Sequence, residues 1–380
     1  MNSTITTYIA LGSNQGDKLN WLKQSTEEIY KSIGDVTRVS EVYKTPAWGF
    51  ESDDFLNAVI EVKTRFSAEV TLEKLLKIEQ NLGRIRSNKK GYQARSIDLD
   101  ILFYGNTTIE TNQLTIPHPK LTERNFVLYP LANLVPEMIH PTLNQPISSL
   151  IQNSKDDSSI EPITDKLQPR KAEFRQVNYL TIEGNIGSGK TSLAEMIAED
   201  FNGKLILERF KDNPFLPKFY EDQTRFAFPL EMSFLADRHH QLMDDISQLD
   251  LFTDFAISDY NPNKSLIFSK VTLQEDEYAL YKKIFNIMYS DVPKPDVYVY
   301  LYQNVERLLS NIKKRGRDYE QNISPDYLRN IHEGYLNFFN SQNKIDVKII
   351  DISDLDFVDN REDYLYLLEK ISEINTKASY

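Results

Sequence analysis

Gly184-Asn185-Ile186-Gly187-Ser188-Gly189-Lys190-Thr191 spells G-x-x-x-x-G-K-T, with a strand-like run, Val177 to Glu183, before it and a helical pattern, Ser192 to Phe201, after it. That context makes it a phosphate-binding loop. Small residues let successive backbone N–H groups wrap phosphate oxygens, Lys190 reaches the terminal phosphates, and the Thr191 hydroxyl is available to Mg²⁺. The following helix adds the partial positive charge of its N-terminus. Such a loop opens an α/β domain with a parallel sheet, yet here it begins near the middle of 380 residues. A complete domain is therefore expected ahead of it.

The length fits two or three domains, and 40 % hydrophobic residues suffice for ordinary globular cores. The chain has no cysteine, which excludes a disulfide framework or a cysteine zinc site and fits a reducing cytoplasm. Its first ten residues lack a basic segment followed by an apolar one, and no apolar run reaches membrane-spanning length. A soluble, cytoplasmic protein without a membrane partner is expected. The net charge of −12 is unevenly spread, with 17 basic against 19 acidic residues in 1–160 and 27 against 37 in 161–380. That balance argues against a nucleic-acid groove, which needs a basic surface to release counterions.

In the first half, Thr6 to Leu11 reads as a strand, broken by Gly12-Ser13-Asn14-Gln15-Gly16-Asp17 before a helix carrying Leu19, Leu22, Ile29 and Ile33. Val36 to Tyr43 and Phe55 to Val62 follow as strands, then a helix with Leu72, Leu75, Leu76 and Leu82, then the strand Ser96 to Tyr104. The order β-α-β-β-α-β is that of an α+β ferredoxin-like sandwich, with helices on one face of an antiparallel sheet. In the last strand the period of two puts Ile97, Leu99, Ile101 and Phe103 on one face and Asp98 with Asp100 on the other. Two carboxylates about 6–7 Å apart along a strand can hold one or two hard cations and, through them, a polyphosphate. A solvated outer face would show the same alternation. Arg84, Arg86, Lys89, Lys90 and Arg95 precede these acids as a basic loop, the charge a triphosphate site needs.

Gly12-Ser13-Asn14, Thr45-Pro46, Phe55-Leu56-Asn57-Ala58, Gly83-Arg84-Ile85-Arg86, Arg95 through Ile101 and Ile116-Pro117-His118-Pro119 together resemble the 6-hydroxymethyl-7,8-dihydropterin pyrophosphokinase family over about residues 5 to 150. The resemblance implies transfer of pyrophosphate from ATP to the pterin hydroxymethyl group with release of AMP. Asp98 and Asp100 would ligate two Mg²⁺, and Arg84, Arg95 and His118 would contact the triphosphate. Glu79 would lie nearby, and Arg124 would close over the site from a mobile loop. Asn57 would hydrogen-bond the pterin, while Phe55 and Phe126 would sandwich its ring, as a flat heterocycle requires. Tyr92 stands in the basic loop where the family often has tryptophan.

Residues 161–176 read as a linker by composition, after the polar run Ser154 to Ser159 and around Pro162 and Pro169. Beyond the loop, Lys204 to Leu207 reads as a buried strand ending in Glu208, at the edge of a doubly wound sheet where ligands collect. An acid there can accept the proton of a hydroxyl attacking the γ-phosphate. An ion pair with Arg209 or Lys211 is the plainer reading. The helix Phe228 to Leu249 carries Glu231, Arg238, His239 and His240; adjacent histidines point about 100° apart, so no metal site is expected from them. Strands Asp254 to Asp259 and Asp296 to Leu301 follow, then a helix ending in Lys313-Lys314-Arg315-Gly316-Arg317, a basic cluster able to close over phosphates.

Ile182 through Gly187, Glu208-Arg209-Phe210, Asn213-Pro214-Phe215-Leu216, Phe219-Tyr220-Glu221 and Arg315-Gly316-Arg317 with Glu320 are similar to the deoxynucleoside kinase family over about residues 177 to 375. The resemblance implies ATP-dependent phosphorylation of a deoxynucleoside 5′-hydroxyl, with one Mg²⁺ at the loop. Glu208 would be the general base, Arg315 and Arg317 lid residues, and Tyr220 with Glu320 the holders of the sugar 3′-hydroxyl. Asp259-Tyr260 stands where many members have an arginine, and Glu231 where many place a base-reading glutamine. An ionised carboxylate only accepts, which favours purines, with deoxyadenosine first and deoxyguanosine second. The expected protein is thus a bifunctional kinase, residues 1–160 and 177–380, using ATP twice and assembling as a homodimer through the kinase domain. Two alternatives are that one half is a regulatory nucleotide-binding module without turnover, or that the second half phosphorylates a nucleoside monophosphate.

Overall fold

Alternation in the central strand of the first half decides which side of the sheet each later element covers. The computed structural model describes residues 4–47, 52–84, 94–174, 177–209, 213–247, 253–290, 294–341 and 347–373, and the chain forms two units, Met1–Ala172 and Glu173–Tyr380. In the first, β1 (Ile5–Ser13), α1 (Lys18–Ser32), β2 (Gly34–Val39), β3 (Glu41–Thr45), β4 (Phe55–Thr64), α2 (Ala68–Asn81) and β5 (Asp98–Tyr104) run in that order. A two-stranded hairpin, β6 (Ile109–Glu110) and β7 (Thr115–Ile116), leads to α3 (Asn125–Leu134), α4 (Ile147–Asn153) and β8 (Glu161–Lys166). The sheet order is β5-β1-β4-β3-β8, with β2 also on β4, all antiparallel.

Ile9 and Leu11 of β1, with Ala58, Ile60 and Val62 of β4 and Leu99 and Ile101 of β5, meet Leu22 and Ile29 of α1 and Leu75 and Ile78 of α2. Asp17 caps α1 by accepting the Asn20 N–H, and Ser67 caps α2 by accepting that of Val70. Helices were expected on this face alone. The opposite face is covered as well: Tyr8, Val59, Leu102 and Phe103 pack under Val127, Leu128 and Leu131 of α3 and Ile147 and Leu150 of α4. Phe103 therefore lies on the face opposite Leu99 and Ile101, contrary to strict alternation, because the β1–β5 register shifts between Tyr8 and Ile9 and turns one extra residue over.

The stretch expected as a linker opens with β8, which pairs with β3, and Arg170 continues the contact by bridging to Val36. Its polarity is that of an exposed edge strand, where the outer side chains face water.

The second unit contains β9 (Tyr179–Gly184), α5 (Lys190–Asp200), β10 (Gly203–Ile206), α6 (Leu216–Glu221), α7 (Gln223–Ser247), β11 (Phe255–Ser258), α8 (Asn263–Thr272) and α9 (Glu275–Met288). It ends with β12 (Val297–Tyr302), α10 (Val305–Arg315), α11 (Pro325–Ser341), β13 (Val347–Asp351) and α12 (Arg361–Ser372). The sheet is parallel throughout, in the order β10-β11-β9-β12-β13. Every residue of β9 is buried, as expected for a strand covered on both sides. Ile206, Ser258 and Thr181 lie side by side in register. The carboxyl ends of β10, β11 and β9 therefore open at one edge, carrying Glu208, Asp259 and the glycine loop.

Candidate functional sites

In the first unit the antiparallel register sets Gly12 of β1 between Asn57 of β4 and Asp98 of β5, with Ala10 beside Asp100. Partners directly opposite share a face, so both acids and the amide point to the side that α3 covers. Ala10 and Gly12 leave room above the sheet between them; a Cβ on Gly12 would stand 3.1 Å from Asn57 Oδ1. The resulting pocket is lined by Phe55, Asn57, Arg95, Asp98, Asp100, Arg124 and Phe126. Asn57 is held by donating from Nδ2 to Thr45 Oγ1 at 2.8 Å.

Asp98 anchors the cations. Arg84 Nη1 donates to Oδ1 at 2.5 Å and Arg95 Nη1 to Oδ2 at 2.6 Å, while Arg84 also pairs with Glu79. The Glu79 carboxylate accepts the Leu99 N–H, so the strand's own backbone is tied to this network. Burial and the neighbouring Asp98 push Asp100 up to about 7, against the pull of Arg124 and Arg95. An acid so crowded is one a divalent cation would relieve, and a pair of hard oxygen donors completed by substrate phosphates suits Mg²⁺. Burial, with Arg124 beside it, lowers His118 to about 4, so its ring is neutral at pH 7. The Lys120 N–H donates to Nδ1, leaving the proton on Nε2, which lies 3.9 Å from Asp100 Oδ2. His118 thus meets an oxyanion as an N–H donor rather than as a cation.

Arg124 and Phe126 stand at the start of α3, the Arg124 guanidinium 5.5 Å from the Phe126 ring centroid. Asp156 holds that start: its carboxylate accepts the Asn125 N–H at 2.8 Å, and Asn125 Nδ2 donates to its carbonyl. Asn14 likewise fixes Arg95, accepting its N–H at 2.8 Å. Neither Asn14 nor Asp156 carries a signal of this role in the sequence beyond its side-chain type, since their partners are 81 and 31 residues away. Arg86, Lys89, Lys90 and Tyr92 lie outside the described residues.

In the second unit the loop adopts the backbone its glycines permit: φ is +85° at Gly187 and +83° at Gly189, where a Cβ would come within 2.8 Å of the Phe357 ring. Lys190 Nζ donates to Asn185 O at 2.9 Å, and burial, with Lys264 nearby, lowers its pKa to about 8. The Thr191 hydroxyl donates to Asp259 Oδ2 at 2.5 Å, and Asp259 Oδ1 accepts the Glu208 N–H at 2.8 Å. Asp259 thus ties the loop to the end of β10. A hydroxyl and a carboxylate so juxtaposed are a fitting donor set for Mg²⁺ beside bound phosphates.

Glu208 is gripped by two cations. Arg238 donates to Oε1 through Nε at 2.8 Å and Nη2 at 2.6 Å, and Lys264 Nζ to Oε2 at 2.6 Å. Burial alone would raise this carboxyl, but Lys264 and Arg238 outweigh it and hold it well below the usual carboxylate range. These partners are buried and lie 30 and 56 residues away in the sequence, while Lys211 lies outside the described residues. A groove runs from Gly187–Thr191 past Glu208, Asp259, Arg315 and Arg317 to Phe357.

Arg315 and Arg317 both pair with Glu320, which is buried, and Gly316 between them takes φ +72° to end α10. Tyr220 stacks on Tyr319 at 6.0 Å; burial, then Glu320, raises its hydroxyl above the ordinary tyrosine range. Tyr220, Glu231 and Glu320 are not among the described residues lining the groove. Tyr260 is fully buried with Tyr179, Ile206 and Ala256, and its hydroxyl has no partner among the described residues. His239 packs edge-on against Tyr289, and the exposed His240 faces Asp244.

Glu231, expected as an ionised acceptor, lies in a buried setting that favours its neutral form. It is 3 % exposed, Oε1 accepts from Thr272 at 3.2 Å, and Oε2 has no partner among the described residues. Burial pushes it up to about 7, against Arg238 and Thr272. A protonated carboxyl donates as well as accepts, which is the pattern of an amide. Between its ordinary value of 4.5 and about 7 the folded state holds a proton that the unfolded chain has released, so stability falls as pH rises through that window. Glu231→Gln is expected to stabilise the second unit on the order of 3 kcal/mol at pH 8 and little at pH 5. Thermal unfolding of both proteins at the two pH values checks this.

Among the described residues no helix is long and apolar enough to cross a membrane. The family model described as deoxynucleoside kinase matches residues 180–375, and that described as 7,8-dihydro-6-hydroxymethylpterin-pyrophosphokinase matches residues 8–136. Deoxyguanosine kinase of Bacillus subtilis (strain 168) is 34 % identical over 200 residues, covering 52 % of this chain and 97 % of that protein. The 2-amino-4-hydroxy-6-hydroxymethyldihydropteridine pyrophosphokinase of Aquifex aeolicus (strain VF5) is 36 % identical over 158 residues, covering 41 % of this chain and 94 % of that protein. Among solved structures, deoxyadenosine kinase from M. mycoides with bound dATP aligns at 23 % identity and a TM-score of 0.45, covering 51 % of this chain and 98 % of that one.

Proposed function

The chain belongs to the deoxynucleoside kinase family over residues 180–375 and to the 7,8-dihydro-6-hydroxymethylpterin-pyrophosphokinase family over residues 8–136, and on that basis we propose that it catalyses two ATP-dependent transfers at two separate sites. The first moves pyrophosphate to the hydroxymethyl group of the dihydropterin and leaves AMP. The second moves the γ-phosphoryl group to the 5′-hydroxyl of a purine deoxynucleoside and leaves ADP. The boundary between the two enzymes lies near Ala172, and the β-α-β-β-α-β order with strand order β5-β1-β4-β3 supports a ferredoxin-like reading of the first.

For the pyrophosphokinase, the observation that carries the reading is the row Asn57–Gly12–Asp98 across three strands. It sets a pterin-reading amide beside a cation-binding acid. Phe55 and Phe126 cover the two faces of the heterocycle, Asn57 pairs with its edge, and Thr45 keeps the amide from turning. Asp98 and Asp100 would hold two Mg²⁺, whose charge would offset that of the triphosphate. Arg84 and Arg95 reach the phosphates from the anchor Asp98 provides, His118 donates from Nε2, and Arg124 lies over the mouth of the pocket.

For the kinase, backbone amides of Gly184–Thr191 and the Lys190 ammonium hold the phosphates, and Thr191 and Asp259 would hold one Mg²⁺, which would offset their charge. Glu208 orients the 5′-hydroxyl and takes its proton as the O–Pγ bond forms and the bond to the β-phosphate breaks. Arg315 and Arg317 exchange Glu320 for phosphate oxygens on closure, which frees Glu320, with Tyr220, for the sugar 3′-hydroxyl. Glu231 reads the base, and burial, by raising its pKa, favours the protonated form that can donate as well as accept. The likeness to a deoxyguanosine kinase supports the purine class. Rates of ADP formation with the four deoxynucleosides test it: deoxyadenosine and deoxyguanosine should be turned over fastest, and a pyrimidine in first place would refute the assignment.

A further inference from the structure

Lys264 stands in the first turn of α8, where the helix's own partial charge opposes a cation, and it is only 8 % exposed. Neither helix formation nor solvation accounts for a lysine there, and a residue that breaks a local rule at a site edge is one to explain by the site. Its ammonium meets Glu208 Oε2 at 2.6 Å, lies 5.3 Å from the centroid of the Phe268 ring, and is close enough to Lys190 for the two to repel. Glu183, Asp259 and Glu208 offset that repulsion. The position after Asp259, by contrast, holds Tyr260, whose ring lies in the sheet-side cluster and supplies no charge to the groove.

We propose that Lys264 is a positioning residue for phosphoryl transfer: by fixing Oε2 while Arg238 fixes Oε1, it sets the plane of the Glu208 carboxylate so that a free lone pair faces the attacking hydroxyl. This inference rests on the deoxynucleoside kinase reading of the groove. The terminal torsion of a glutamate is broad and only weakly restrained by its own rotamer preferences. Arg238 alone, bonded to one oxygen, leaves the plane free to swing about that bond. The second cation removes the swing. A misplacement near 1 Å costs about 10²-fold in rate, and here it falls on the chemical step, because the Lys264 ammonium is bonded to the Glu208 carboxylate.

The test uses full-length protein with Lys264→Met and Lys264→Arg, following ADP formation at varied deoxyguanosine or deoxyadenosine and ATP. The expected result is a kcat lowered about 30–100-fold in the methionine variant, with both KM values within about threefold of the parent, and recovery to within about fivefold in the arginine variant, whose guanidinium can again donate to Oε2. Thermal unfolding and nucleotide affinity accompany the kinetics. If the methionine variant does not fold, the arginine variant decides: near-parental kcat supports the proposal, and loss of kcat with an intact fold overturns it. A methionine variant with parental kcat, or one altered only in KM, also overturns it. Absence of ADP formation by the parent protein with every deoxynucleoside would instead remove the function on which the inference rests.

Discussion

Glu208→Gln is expected to lower deoxynucleoside phosphorylation by on the order of 10²–10⁴ while AMP formation with the pterin continues at the parental rate. The carboxylate is held ionised by Arg238 and Lys264, so it is always ready to accept, although its basicity is low. Low basicity is tolerable here because phosphoryl transfer proceeds through a loose transition state, in which aiming the hydroxyl matters more than early proton removal. Glutamine keeps the shape but presents an N–H₂ to one of the two cations and cannot take the proton. It also leaves two buried positive charges uncompensated, a change worth about 3–5 kcal/mol in other buried pairs, so the second unit should melt earlier. The kcat of the folded fraction is therefore the quantity to measure. Parental kcat in that fraction would mean that another group accepts the proton.

Asp98→Ala is expected to cripple the other reaction, lowering AMP formation by on the order of 10²–10³-fold with ADP formation untouched. Three functions meet at this side chain. It is one of the two strand acids, and it anchors both Arg84 and Arg95. Truncation removes a hard ligand and releases two guanidinium groups from the geometry in which they face the pocket. Asp98→Asn separates the contributions, since the amide oxygen can still accept from an arginine but brings no charge to a cation. It should be nearly as inactive as alanine. Substantial AMP formation by the asparagine variant would show that Asp98 serves as an anchor rather than as a ligand.

The local patterns in this chain are those that survive in one dimension. The loop Gly184–Thr191 is legible because phosphate cradling needs consecutive residues. Asp98 and Asp100 are legible because a strand repeats every two residues, and Glu208 and Asp259 because each follows a buried run at the end of a parallel strand. What is not legible depends on partners brought together by the fold. Nothing near Glu208 in the sequence points to Lys264 and Arg238, and nothing near Asn125 points to Asp156. The edge strand β8 hides in a polar stretch because its outer side is solvated. The helices α3 and α4, and the register shift that turns Phe103 toward them, are set by packing that no single segment reveals. The ionisation of Glu231 is likewise a property of its burial, not of its residue type.

The claim that two independent ATP sites share this chain is tested most directly by identifying the nucleotide product when full-length protein is given ATP, Mg²⁺ and each acceptor, separately and together. AMP alone is expected with the dihydropterin, ADP alone with a purine deoxynucleoside, and both at undiminished rates when the two acceptors are saturating. A single nucleotide product for both acceptors, or competition between them, would contradict it.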